Sequence, residues 1–255
     1  METWKTRTEL LIGQEGADKL SRMHVLQVGL GGVGAFSAEM LCRAGVGEMT
    51  IVDADNVSES NLNRQLPALH STLGKSKAQV MADRLLDINP QLKLHVVEAF
   101  IRDERTEALL DAAPYDYVLD AIDSLSPKVY LIYQALQRNL KVLSVMGAGG
   151  KMDPSLIRVA DISKSSYCHL AKTVRKRLYR LGVRRGFLVV YSSEHVPEYA
   201  VVIDKDEEIN KLSTVGTISY MPAAFGCFAA AAVIRELLGI TNTLPDHGTK
   251  PSLRI

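Results

Sequence analysis

Short apolar runs alternate along this chain with longer segments in which apolar positions recur every three or four residues. The short runs predict strands at 24–29, 49–53, 93–99, 115–122 and 141–147, and the helical period predicts helices at about 32–43, 75–87, 104–112 and 127–138. Strand and helix in strict alternation predict an α/β fold, a Rossmann-like doubly wound and mostly parallel sheet with helices on both faces. Right-handed crossovers then put any ligand at the carboxyl ends of the strands. Past residue 150 the texture changes: 153–165 is strand-like, 168–183 is a basic helix and 186–194 is a further strand. This predicts an antiparallel C-terminal extension of the same sheet, closed by an apolar helix within 218–240. The chain thus reads as one unit over residues 1–255, with a first half at 1–150, a second at 151–240 and a loosely held tail at 241–255.

The apolar segment Ile218–Ile240 is the stretch that most resembles a membrane span. It runs into Arg235 and Glu236, contains Pro222 and Gly226 and is rich in alanine, so a core helix is expected and stable membrane insertion is not. A formal net charge of +1 gives no overall pull toward nucleic acid, which leaves only local patches to do so. The three cysteines, Cys42, Cys168 and Cys227, form no CxxC pair, which argues against a disulfide framework and a thiolate zinc site; no zinc is expected. Cys227, within the apolar helix, is expected to be a buried inert thiol, and no cysteine stands in an obvious mobile loop. The opening METWKTRTEL lacks the layout of a signal peptide, so a reducing, cytoplasmic setting is the expectation.

Candidate chemistry starts at Val25–Gly34, VLQVGLGGVG. Gly29, Gly31 and Gly34 have the spacing of a nucleotide-binding turn between a strand and a helix, with Gly32 at the helix start, where backbone N–H groups and the helix dipole favour phosphate. Asp53 stands at the end of the next strand, where a ribose hydroxyl is met, and Asp55 shares its turn. Nicotinamide, flavin and ATP enzymes share these features. Asn61 and Arg64 in the following loop, with Lys75 and Lys77 opening the next helix, decide between them, because a triphosphate needs more counter-charge than a dinucleotide. Asp120 and Asp123 end the fourth strand of this series. A carboxylate facing phosphates calls for a hard cation between them, so Asp123 is a candidate Mg²⁺ ligand, while Asp120 can simply cap the turn.

GLGGVG, DADNVSESNLNRQ, GKSKA and DAIDS, in this order, resemble the adenylating enzymes related to ubiquitin-activating proteins, over roughly residues 5–150. GAGGKMDP at Gly147–Pro154, followed by IRVADISKS, resembles the branch of that family that dehydrates threonylcarbamoyladenosine in tRNA. The resemblance implies that Gly31 and Gly32 line the phosphates, that Asp53 holds the ribose and that Asn61, Arg64 and Lys77 bind the triphosphate of ATP, with Mg²⁺ at Asp123. It further implies a homodimer in which Arg7 reaches the partner's nucleotide site. A monovalent cation, Na⁺ or K⁺, near Gly147–Gly150 and a cysteine desulfurase or other sulfur-acceptor partner stay open.

The implied chemistry is adenylation of the threonyl carboxylate followed by ring closure with release of AMP, which asks for positioning and charge neutralisation rather than a protein nucleophile. Lys172–Arg185 holds seven Lys or Arg in fourteen residues. At helical spacing Arg175, Lys176, Arg180 and Arg184 can present a charged face to tRNA phosphates, with Tyr179 available for stacking. The alternative reading is an adenylyltransferase acting on the C-terminal glycine of a ubiquitin-like or sulfur-carrier protein. A nucleotide-binding scaffold without catalysis is the third.

Overall fold

The computed structural model of the protein describes residues 3–202 and 214–241, so the expected tail lies almost wholly outside the described residues. Ahead of the first predicted strand stands a helix that the apolar pattern hides, α1 (Thr6–Leu20). Gly13, at φ 74° and ψ 163°, breaks it into two helical pieces, and Leu10 and Leu11 point outward at 82% and 76% exposure. No single amphipathic period runs across such a break.

The expected alternation follows: β1 (His24–Val28), α2 (Gly34–Ala44), β2 (Glu48–Val52), α3 (Lys77–Ile88), β3 (Lys93–Val97), α4 (Glu104–Asp111), β4 (Tyr117–Asp120), α5 (Leu125–Gln137) and β5 (Val142–Val145). The second half adds β6 (Ile157–Asp161), α6 (His169–Arg180), β7 (Leu188–Ser192), the two-residue strands β8 (Val201–Val202) and β9 (Thr214–Val215), and α7 (Tyr220–Leu237). Seven strands form one sheet in the order β3-β2-β1-β4-β5-β7-β6. β1, β4 and β5 are buried along their whole length, as a parallel sheet covered on both faces requires. The antiparallel extension is narrower than the sequence implies: β7 lies parallel to β5, and only the edge strand β6 runs against it. β8 and β9 form a separate antiparallel ribbon.

Each face of the sheet carries its own core. On one, Leu41 of α2, Met81 of α3 and Phe225 of α7 pack together; on the other, Ile132 of α5 and Val174 and Leu178 of α6 do. The apolar α7 is therefore a core helix, burying Met221, Phe225, Ala229 and Val233. Cys227 departs from expectation: it is exposed beside Phe228, because the buried stripe of α7 runs along the other side of the helix. Cys42 is buried, and burial pushes its thiol up to about 11.

The start of α7 also braces the start of α2. A Cβ on Gly226 would lie 2.6 Å from the Val33 carbonyl oxygen, and one on Gly32 would lie 3.0 Å from Pro222 Cβ. Gly226→Ala forces the two helices apart, at about 1–3 kcal/mol. The unfolding temperature should fall by roughly 2–12 °C; an unchanged value would mean that the α2–α7 contact is slack.

Candidate nucleotide site

β1 ends at Val28 and α2 begins at Gly34, so residues 29–33 make the turn at the carboxyl end of the sheet. Gly29 has φ 90°, and a Cβ there would sit 2.8 Å from the Ala121 carbonyl, while one on Gly34 would sit 1.8 Å from the Gly29 carbonyl. These two glycines serve the turn itself. Gly31 is different, since a Cβ there would meet nothing nearer than Gln65 Nε2 at 3.7 Å. Gln65 Oε1 is buried without a hydrogen-bond partner. An orphaned amide beside an uncrowded glycine turn fits a bound molecule with polar edges, and a flipped amide would offer its NH₂ to a phosphate oxygen.

Asp53 pins this turn. Its carboxylate accepts from the Leu30 N–H at 2.6 Å and from the Asp55 N–H at 2.8 Å, and burial pushes its pKa above the ordinary carboxylate value. Lys77 opens α3 and is buried, with Nζ 2.8 Å from Asp55 Oδ2. Asp55 is thus the partner of Lys77; at 69% side-chain exposure it can yield the ammonium to a phosphate. Asn61 is buried, its Oδ1 accepting from the Ser58 N–H at 3.2 Å. Arg64 is half-buried, donating to the Ser60 carbonyl at 2.9 Å and Asn63 Oδ1 at 2.8 Å, and its own carbonyl lies beside Gly32. Asn63 ties this loop to the Thr217 carbonyl at 3.0 Å, so the second half of the chain helps to close the site.

Asp120 caps its turn as expected, accepting from the Ile122 N–H at 2.9 Å. It does more: both it and Lys128 are fully buried, and Lys128 Nζ lies 2.7 Å from Asp120 Oδ2. The signal for Lys128 was its place on the apolar face of α5 with Leu131, Ile132 and Ala135, where a lysine needs a partner. Asp123, three residues beyond Asp120, is exposed in the loop before α5. Lys151 of the GAGGK segment was missed as an individual residue. It is buried, donates from Nζ to the Glu194 carbonyl at 2.5 Å, and is pushed below the ordinary lysine range by burial.

Two groups stand apart from this cluster. Arg7 is exposed on α1, whose start lies near Gly45, with Lys5 Cε 4.0 Å from a Cβ placed there. That is the far end of α2 from the glycine turn, about 16 Å away along the 11-residue helix. On α6, Lys176, Tyr179 and Arg180 are exposed, as is Arg184 just beyond it, and Arg184 stacks on the Tyr179 ring with Cζ 4.8 Å from its centre. Arg175 departs from the expected charged face: its guanidinium turns inward onto the Ser165 carbonyl and hydroxyl. Arg177 instead reaches Ser126 Oγ at 2.8 Å, linking the basic helix to the first turn of α5.

A glycine turn, an acidic residue at the end of the next strand, a loop arginine and a buried lysine opening the following helix are the arrangement expected of a nucleotide site of the adenylating class. The model of the ThiF family matches residues 6–252, and the chain belongs to that family. It is 42% identical over 189 residues to the tRNA threonylcarbamoyladenosine dehydratase of Bacillus subtilis, covering 74% of each chain. To the Escherichia coli enzyme of that name it is 38% identical over 256 residues, covering 93% of this chain and 95% of that one. The crystal structure of the E. coli dehydratase in complex with ATP superposes with a TM-score of 0.83 at 32% identity, covering 94% of this chain and 96% of that one.

Asp53→Asn sets an amide N–H₂ against the Leu30 or Asp55 N–H and removes the charge. ATP binding, measured by calorimetry, should weaken about tenfold to a hundredfold. Because the Asp53 pKa is raised, wild-type affinity should fall as pH drops from neutral toward the upper carboxylate range as its carboxylate is protonated, and the variant should lack that component. Unchanged affinity at neutral pH would remove Asp53 from the site.

Proposed function

We propose that this protein is an ATP-dependent tRNA threonylcarbamoyladenosine dehydratase. The observation that carries the reading is the likeness to dehydratases across both halves of the chain, supported by Lys77 paired with Asp55 beside Asp53 and by the Arg64 carbonyl lying next to Gly32. The threonyl carboxylate attacks the α-phosphorus of ATP and pyrophosphate leaves. A nucleophilic atom of the same side chain then attacks the activated carbonyl, losing its proton to solvent as AMP departs, and the base has lost one water.

In this reading Gly29, Gly31, Gly32 and Gly34 form the phosphate turn, Asp53 orients the ribose, and Arg64 and Lys77 offset charge on the phosphates as it redistributes. Asn61 joins them in binding the triphosphate, and with its Oδ1 accepting from the Ser58 N–H it also shapes the loop that carries Arg64. Asp123 would hold Mg²⁺, which supplies electrostatic neutralisation of the leaving pyrophosphate. Lys176, Arg180 and Arg184, with Tyr179, form the tRNA surface, and Arg177 couples that helix to the first turn of α5, which follows the loop of Asp123. Arg7 acts in the partner's site of a homodimer. Its distance from its own glycine turn and the outward-facing Trp4, Leu10 and Leu11 beside it support this. The work is done in the cytoplasm.

The test is mass spectrometry of nucleosides from tRNA bearing threonylcarbamoyladenosine, incubated with protein and Mg-ATP and worked up under mild, neutral conditions. The wild type should yield a nucleoside lighter by one water, Asp123→Ala should yield none, and mixing inactive Arg7→Ala with inactive Lys77→Ala should restore part of the activity. Charge reversal at Lys176 and Arg180 should raise KM for tRNA and leave KM for ATP in place. An unchanged nucleoside, with ATP cleaved once a small carrier protein is added, would establish the adenylyltransferase alternative.

A further inference from the structure

Chemistry-bearing side chains also gather at the opposite, amino-terminal end of the sheet. His24 and Glu48, the first residues of β1 and β2, face each other in register, and His95 of β3 is opposite Thr50. Period-two alternation puts His24, Glu48, Thr50 and His95 on one face of three adjacent strands. His24 Nδ1 lies 3.5 Å from Glu48 Oε1, and His95 Nε2 lies 2.8 Å from the same oxygen. One ligand atom from each of the three residues falls within 4.8 Å of the other two.

The buried member of the set is already oriented. His24 Nε2 meets Thr50 Oγ1 at 2.9 Å, its backbone N–H donates to Asp116 Oδ2 at 2.7 Å, and the Tyr115 ring lies edge-on at 4.7 Å. The far nitrogen is therefore occupied and Nδ1 is presented toward Glu48, the arrangement by which a hydrogen bond fixes the tautomer and direction of a metal-ligating imidazole. His95, its side chain 46% exposed, and the half-buried Glu48 are free to adjust around it.

We propose that His24, Glu48 and His95 form a binding site for a borderline divalent transition metal, with zinc as the best fit. Tetrahedral zinc with bonds of about 2.0–2.2 Å sets neighbouring ligand atoms about 3.3–3.6 Å apart. The His24–Glu48 separation of 3.5 Å already matches, the His95–Glu48 separation of 2.8 Å is shorter, and all three ligand atoms lie within 4.8 Å of one another, so movements of about an ångström of the two outer side chains close the site. Two imidazoles and one carboxylate favour zinc over magnesium or calcium, which prefer all-oxygen shells. The fourth position opens to solvent on the His95 side. Lys93 Nζ, 2.8 Å from Glu48 Oε1, holds the cation's place and, at 66% side-chain exposure, is free to swing away when the metal enters. No cysteine takes part, so the site is separate from the thiolate zinc motif absent from the sequence. Bound there, the metal cross-links β1, β2 and the edge strand β3.

The experiment is titration of untagged protein with Co²⁺ and Zn²⁺. One equivalent of Co²⁺ should bind with the intense visible bands of a low-coordinate centre and be displaced by Zn²⁺, and Zn²⁺ should raise the unfolding temperature. His95→Ala and Glu48→Gln, both at partly exposed positions, should each weaken binding at least about tenfold while leaving the metal-free unfolding temperature close to wild type. Lys93→Met should tighten binding. Absence of stoichiometric binding, weak octahedral bands, or equal affinity in His95→Ala that is still folded would overturn the proposal; none of these readouts depends on catalysis.

Discussion

The carboxyl end of the sheet hangs on one buried ion pair, Asp120 with Lys128. Neither side chain reaches solvent, and removing two charges from water costs several kcal/mol for each. The cost is offset because every partner is in place: Asp120 accepts from Lys128, the Ser144 hydroxyl and the Ile122 N–H, and Lys128 also reaches Ser144 Oγ and the Val145 carbonyl. An apolar pair of the same volume could fill this space. It could not tie the tip of β4, the first turns of α5 and the end of β5 to one point. The loops that follow β4 and β5, carrying Asp123 and Gly147–Lys151, leave from that fixed point.

A second constraint comes from the opposite side of the nucleotide turn. Gly226 lets α7 press on the start of α2, and Pro222 abuts Gly32, so a helix from the end of the chain sets the position of the turn near its beginning. Asn63 and Thr217 repeat the connection from loop to loop. Adenylation followed by ring closure within the substrate needs little covalent help from the protein, and accuracy of placement is where the catalytic advantage resides. A site assembled from both ends of the chain, with its loops anchored by buried contacts, suits that demand.

The sequence made the doubly wound order and the glycine turn legible because both rest on local periodicity and spacing. The positions of Asp53 at a strand end, Arg64 in the next loop and Lys77 at the start of the next helix were legible for the same reason. What stayed hidden depends on tertiary partners. The helix α1 escaped because Gly13 breaks its period and its leucines face out, and Lys128, although out of place on the apolar face of α5, shows its partner Asp120 only once the strands are assembled. Arg175 was grouped with the charged face because spacing cannot tell that Ser165 draws it inward, and Cys227 because composition cannot tell which side of an alanine-rich helix is covered. The His24, Glu48 and His95 cluster is spread over three strands and leaves no motif.

In the proposed reaction the carboxylate of the tRNA side chain is joined to AMP before water is lost. Labelling that carboxylate with oxygen-18 and recovering the nucleotide product after turnover with Mg-ATP reads this step. AMP should carry one labelled oxygen, because the atom that attacks phosphorus departs with it. Unlabelled AMP, or ADP as the nucleotide product, would contradict it.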